Sequence, residues 1–380
     1  MMSTVRALGF FVNTLAVGVT AGLLSLTVAR AAGPPGTESD AHLIAQGERL
    51  FALDFTPARG LGPLFNGTSC LTCHNTPRAG GMGVNGLATV LRVGRLHHMG
   101  FDPLVGHGGP IVRAHSVVEL GQPCGLALGI PAGVNMTSIR NTPPLFGSGL
   151  IDALPEAVIL AGAVPRGHGV HGRAHLVRDA QGYERVGRFG WKADTATLLQ
   201  FVADAFRNEL GLTNPLAPTD LLPIAHGQRQ RCAGEADTPE DDGTTIVAVT
   251  AYLASLAPPA MSAPLTAGAQ VFAAIGCAAC HTPSLPLGDR QVSLYSDLLL
   301  HNLGPDLDDK VVQGQAAGSD WRTTPLWGLG TRPRLLHDGR ACTIVAAIIA
   351  HGGEAASAVR HFRELSSSER DILLAFLRSL

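Results

Sequence analysis

The sequence predicts a mainly α-helical chain made of two related domains, the first enlarged by insertions that include a minor β-hairpin. Three observations carry this. The motif Cys-x-x-Cys-His occurs twice, at Cys70-Leu71-Thr72-Cys73-His74 and at Cys277-Ala278-Ala279-Cys280-His281. Around each copy the same order of helical signals recurs. The chain also holds 46 Gly and 25 Pro against only 5% aromatic residues, a loop-rich composition with few large side chains to fill a core. That leaves room in the interior for a group that is not protein.

The elements follow in chain order. Arg6, an uncharged and mostly apolar run from Ala7 to Val28, and Ala29-Arg30-Ala31 form the pattern of a secretory signal over residues 1–31. The run is also long enough to span a bilayer, so an uncleaved membrane anchor is the alternative. Cleavage would remove two of the 28 basic residues and none of the 30 acidic ones, leaving a net charge of about −4. That balance provides no basic surface for nucleic acid. The expected location is the periplasm.

The first domain is expected over residues 32–256 and the second over 266–380. "AQGERLFAL" (Ala45 to Leu53) precedes the first motif as "TAGAQVFAA" (Thr266 to Ala274) precedes the second, and both carry a Gly followed four residues later by Phe. After the motifs come "RNTPPLFGSG" from Arg140 and "RTTPLWGLG" from Arg322, and the halves close on "AYLASL" and "AFLRSL". A first helix, a motif loop and a last helix packed on the first describe a cytochrome c domain. The Pro-rich stretch Ala257 to Pro264 sets the linker, residues 257–265. Within the first domain's insertion, Val170 to Val177 and Tyr183 to Val186 flank a turn at Asp179-Ala180-Gln181-Gly182 and predict the hairpin.

The chemistry resides in the repeated motif. A thioredoxin-like pair needs no histidine after its second cysteine, and a zinc site needs four ligands in compatible spacing. Covalent haem c accounts for all three residues, because each thiol adds to a haem vinyl group and the histidine supplies the proximal nitrogen to iron. Cys70, Cys73, Cys277 and Cys280 are then attachment thiols of two covalently bound haems, and His74 and His281 are iron ligands. Three cysteines remain. Cys124 and Cys232 could pair in an oxidising compartment, and Cys342 opens an apolar helix and reads as a buried small residue.

Several stretches resemble the dihaem oxidoreductases and peroxidases that also carry the label thiol oxidoreductase. They are "GLGPLFNGTSCLTCHN", "IRNTPPLFGSGLIDALPE", "GRFGWKADTATLLQFVADAFRNELGLTNP", "YSDLLLHNLGPDL" and "WRTTPLWGLG" followed by "LLHDGRACTIVAAIIAHGGEA". More remotely, the chain is similar to the bacterial dihaem cytochrome c peroxidases and to the dihaem enzyme that matures methylamine dehydrogenase. The resemblance implies a distal ligand for the C-terminal haem fourteen residues beyond the histidine of Leu336-His337-Asp338-Gly339, which is His351, where the peroxidases commonly use Met. The local pattern agrees, since Ile344, Ile348 and His351 share one face of a helix stopped by Gly352-Gly353; a histidine capping that helix is the alternative.

The resemblance also matches Trp191 to a tryptophan between the haems, a core tryptophan being the other reading. Gln200 and Glu209 fall within one or two residues of a distal Gln and Glu, where a carboxylate could move a proton between peroxide oxygens; a solvated helix face is the alternative. Arg140 and Arg322 open the two Arg-x-Thr-Pro elements and suit haem propionates or turns. Thr331 and Pro333 resemble a Ca²⁺-coordinating loop, with one extra residue before His337. No spacing selects a distal ligand for the first haem among His97, His98, Met99, His107, His115 and Met136.

The expected function is a periplasmic dihaem oxidoreductase of peroxidase type. It has an electron-transfer haem at His281 and His351 and a reactive haem at His74. Its partners would be a small redox donor protein and hydrogen peroxide or another small oxidant. A cytochrome that only transfers electrons, and a haem protein accessory to periplasmic iron uptake, are the alternatives.

Overall fold

The structure is a computed structural model and describes residues 38–380 apart from 84–87, 99, 127, 168, 224–231, 233–238 and 262–264. The expected signal segment, Met99 and part of the linker therefore lie outside the described residues. Among the described residues no helix is long and apolar enough to cross a membrane.

The Gly-then-Phe spacing sets two helix crossings. The helix Glu38–Ala52 buries Gly47 and Phe51 and meets the helix Thr244–Ser255 at Gly47, where a Cβ would lie 1.9 Å from the Ala248 carbonyl oxygen. The second half repeats this contact. The helix Thr266–Ala274 buries Gly268 and Phe272, and a Cβ on Gly268 would lie 2.3 Å from Cβ of Phe376 in the helix Ser367–Ser379. Only glycine lets the backbones approach so closely. The phenylalanine one turn on then packs against an aromatic of the closing helix, Phe51 on Tyr252 at 5.3 Å between ring centroids and Phe272 on Phe376 at 5.6 Å. Each also faces its motif histidine, Phe51 at 6.3 Å from His74 and Phe272 at 6.4 Å from His281.

Between these helices the chain forms five small sheets among the described residues, more β structure than the single hairpin expected. The hairpin is present: Leu176–Arg178 pairs antiparallel with Glu184–Val186, and the Asp179 carboxylate accepts from the N–H groups of Gln181 and Tyr183 at 3.0 and 2.9 Å. It is shorter than expected because Arg173 leaves it to bridge Leu300 in the second half. The addition is a four-stranded sheet in which Thr89–His97 pairs with Gly100–Asp102, Ile111–Val112 and Met136–Asn141.

The two halves share buried material at their junction. Leu294, Leu298, Leu299 and Trp327 join the cluster that contains Phe146, Leu198 and Phe206. Lys192 is fully buried, and its ammonium donates to the carbonyls of Ala317, Gly318 and Asp320 at 2.6, 2.9 and 3.1 Å. Asp309 lies 3.5 Å from that ammonium and also pairs with Arg140. Cys124 and Cys232 are joined in a disulfide.

Candidate functional site

The second motif borders an apolar cavity of about 250 Å³. Cys277 and Cys280 stand on its wall with His281 and His351. The His281 Nδ1 donates to the Tyr295 carbonyl at 2.9 Å, and Tyr295 holds a left-handed φ of 51°, a conformation that non-glycine residues adopt mainly where structure requires it. His351 caps the helix Ile344–Ala350, and its Nδ1 donates back to the Ala347 carbonyl at 2.7 Å. A ring whose Nδ1 donates keeps its lone pair on Nε2, the form that binds a metal. Burial holds His281 neutral, down to about 4, with the neighbouring His351 adding to the shift; burial lowers His351 as well.

Arg322 and Arg332 line the same cavity. Burial lowers each to about 10. Arg322 donates to the Gly190 carbonyl at 2.8 Å and Arg332 to those of Pro325 and Trp327 at 2.6 Å, yet Arg332 Nε has no partner. Neither forms a salt bridge among the described residues. Enclosed cations without a paired counter-charge are costly. Two thiols, two imidazoles with free Nε2 and two unpaired guanidinium groups around an apolar space fit a haem, with its vinyl groups, iron and carboxylates.

Arg140 is not part of this set. It is buried against Asp309 and lies 4.6 Å over the Trp321 ring, so the two Arg-x-Thr-Pro arginines occupy different surroundings.

The first motif is a short helix, Cys70–Cys73, capped by Ser69. His74 Nδ1 bonds the Gly81 carbonyl at 3.1 Å, and burial lowers the ring to about 4 against hydrogen bonds to the Gly81 and Pro143 backbone. Burial pushes the Cys70 thiol up to about 12, and pushes Cys73 up to about 11 with the Glu209 charge adding. Glu209 lies near these thiols, its backbone carbonyl accepting from the N–H groups of Asn66 and Gly67 just ahead of the motif. It sits in the last turn of the helix Leu198–Leu210, where Asn66 holds it twice, by Nδ2 to its Oε2 at 2.8 Å and by N–H to its carbonyl at 2.7 Å. Burial raises its carboxyl above the usual range, against the opposing pull of Asn66, Arg113 and Arg92.

Gln200 lies nine residues earlier on this helix, half a turn out of phase, so the two side chains leave on opposite sides. Gln200 bonds Asp204, and its Oε1 is buried without a partner. Of the open candidates for a distal ligand, His97, His98 and His107 are exposed, and His115 pairs with Glu119 at 2.9 Å.

Trp191 lines the cavity of the second motif and donates from Nε1 to the Asn141 carbonyl at 2.9 Å. The Asn141 N–H donates to the His337 carbonyl at 2.6 Å. His337, also on the cavity wall, stacks on Trp321 with centroids 3.7 Å apart. These four residues form one packed chain across the halves. In the stretch that resembles a Ca²⁺ loop, Thr331 uses its hydroxyl within its own turn, donating to the Gly328 carbonyl at 2.8 Å.

Cys342 departs from expectation. It is exposed, with Arg334 donating to its Sγ at 3.0 Å, because it precedes the Thr343 cap and never enters the helix's buried side. Sequence reasoning also missed Arg332 and the ionic group around His301. No motif spacing marks them, although His301 falls inside "YSDLLLHNLGPDL".

Residues 131–380 match the protein family described as "Di-haem oxidoreductase, putative peroxidase", a span that contains the second motif and begins after the first. No curated protein matches the chain. Among solved structures it is similar to hydrazine synthase of Kuenenia stuttgartiensis, with 15% identity over 98% of this chain and 100% of that one at a TM-score of 0.45. It is also similar to the diheme peroxidase BthA of Burkholderia thailandensis, with 17% identity over 89% and 86% at 0.42. A MauG-like protein associated with microbial copper homeostasis gives 16% identity over 91% and 89% at 0.40.

Proposed function

The chain belongs to the di-haem oxidoreductase family, and on that premise we propose that it is a periplasmic two-haem enzyme that reduces hydrogen peroxide or another small oxidant. Cys70, Cys73 and His74 would hold one haem and Cys277, Cys280, His281 and His351 the other, with Arg322 and Arg332 pairing carboxylates of the second. Haem bound there supplies one-electron redox chemistry and, where an axial position is open, a place for the oxidant.

The observation that carries this reading is an asymmetry. Around the second motif two imidazoles share one cavity, which suits a closed electron-transfer centre. Around the first, the second polar group is the buried carboxylate of Glu209. Reducing hydrogen peroxide to two waters consumes two electrons and two protons. Glu209, oriented by the Asn66 hydrogen bond, would take a proton from the near oxygen and deliver it to the far one. Trp191, Asn141, His337 and Trp321, packed on one another, would lie between the two haems. A small redox protein would supply the electrons.

The test uses the purified protein. A pyridine haemochrome should count two haems per chain, and cyanide should perturb one of the two spectra. Glu209→Gln should lower peroxide turnover roughly 10²- to 10⁴-fold with haem content and both spectra unchanged. A count of one haem would end the two-centre reading. Two haems inert to cyanide, with no turnover, would instead assign a cytochrome that only transfers electrons.

A further inference from the structure

A group of charged side chains without a role above lies directly against the second motif. His301, on the strand Leu300–Asn302, is 2% exposed. Its Nδ1 is 2.8 Å from Glu354 Oε2 and 3.4 Å from Cys280 Sγ, and its Nε2 is 3.0 Å from Asp297 Oδ2. Both carboxylates are also accepting from elsewhere. Glu354 accepts the N–H groups of Asn302 at 2.9 Å and His171 at 2.8 Å, one on each oxygen. Asp297 accepts the Leu299 N–H at 3.0 Å and has the Arg166 guanidinium at 3.5 Å.

A carboxylate so occupied can only accept, so both ring nitrogens of His301 must donate. A ring with two N–H groups is a cation. Burial opposes that charge, but the hydrogen bonds to the carboxylates of Asp297 and Glu354 act against it and push the ring up. Gly172 of the first half seals the site, since a Cβ there would lie 2.6 Å from His301 Cε1.

We propose that His301 is a permanently charged tuning residue that raises the reduction potential of the second haem. A buried cation beside an attachment thiol favours the ferrous form, which carries one positive charge less, and does so strongly where water does not screen it. It offsets the lowering that two imidazole ligands produce. The cluster of His301, Arg166, Asp297 and Glu354 is neutral in sum, and loss of the His301 charge leaves an excess carboxylate at the haem edge. This inference rests on the reading that a haem attaches at Cys277 and Cys280.

The test is a spectroelectrochemical titration of the whole protein, with a haemochrome count on every sample. At the potential that half-reduces the native second centre, His301→Gln should lower its ferrous-to-ferric ratio about tenfold, equivalent to about 59 mV for one electron, with the first centre unmoved. His301→Gln combined with Glu354→Gln restores charge balance and should return the ratio toward the native value, whereas a purely structural role predicts a double variant at least as disturbed as the single one. An unchanged single variant, or a double variant that stays with the single one, would overturn the proposal. Should the variants fail to mature, nitrogen-15 histidine spectra of the unaltered protein, reduced and carbon monoxide-treated, should show one imidazole protonated on both nitrogens at about pH 9, and the absence of that signal would also overturn it. A haem count below two faults the haem reading and not this inference.

Discussion

At His351 the end of a helix and the wall of the cavity are the same residue. Its Nδ1 returns to the Ala347 carbonyl, so the proposed ligation would use the other nitrogen and would not compete with that bond. Replacing His351 by Ala leaves the Thr343 cap in place and should turn the second centre high-spin while the first keeps its spectrum. Replacing it by Met should keep the centre low-spin and raise its potential, because a thioether favours ferrous iron. An Ala variant with an unchanged spectrum would place the ligand elsewhere.

Glu209 gives a pH signature at the same scale. Its carboxyl is raised by burial, so proton acceptance, which needs the ionised form, should fail on the acid side at a higher pH than for an exposed glutamate. The stability linkage has the matching sign. A carboxyl raised on folding contributes most below its unfolded value, and that contribution is lost as pH rises through the folded value. The acid limb of turnover should vanish from the residual activity of Glu209→Gln. The two Cys-x-x-Cys-His motifs were legible because five consecutive residues state each of them. His301 and Glu354 were not, since 53 residues separate the pair and folding alone makes them neighbours.

The helix crossings are where sequence spacing and packing agree most closely. Gly268→Ala puts a methyl within 2.3 Å of Phe376 Cβ, and overpacking of this kind costs about 1–3 kcal/mol. Thermal unfolding should show a lowered midpoint for it and for Gly47→Ala, while Gly106→Ala, with open space around the position, should be close to neutral. The four-stranded sheet was not legible for a physical reason. Thr89–His97 has no alternating burial, Gly94 lies beneath the Phe101 ring, and its longest partner, Met136–Asn141, arrives after three intervening strands. The hairpin at Leu176–Arg178 was legible because its turn is local.

Over the whole molecule, the disulfide between Cys124 and Cys232 closes 108 residues of chain. Replacing both by Ser should cost roughly 2–4 kcal/mol of stability, read as a lower denaturant midpoint, with haem content unaffected. The halves are further tied by Arg166, which comes from the first yet donates to the Ala279 carbonyl and the Thr282 hydroxyl, 113 and 116 residues along. Ala279 lies between the two thiols of the second motif. On the proposed reading, machinery that joins haem to those thiols would need the loop as an open peptide, and the Arg166 contact would close it. Loading would then come ahead of closure, and a polypeptide that closed early would be shut off from its second cofactor.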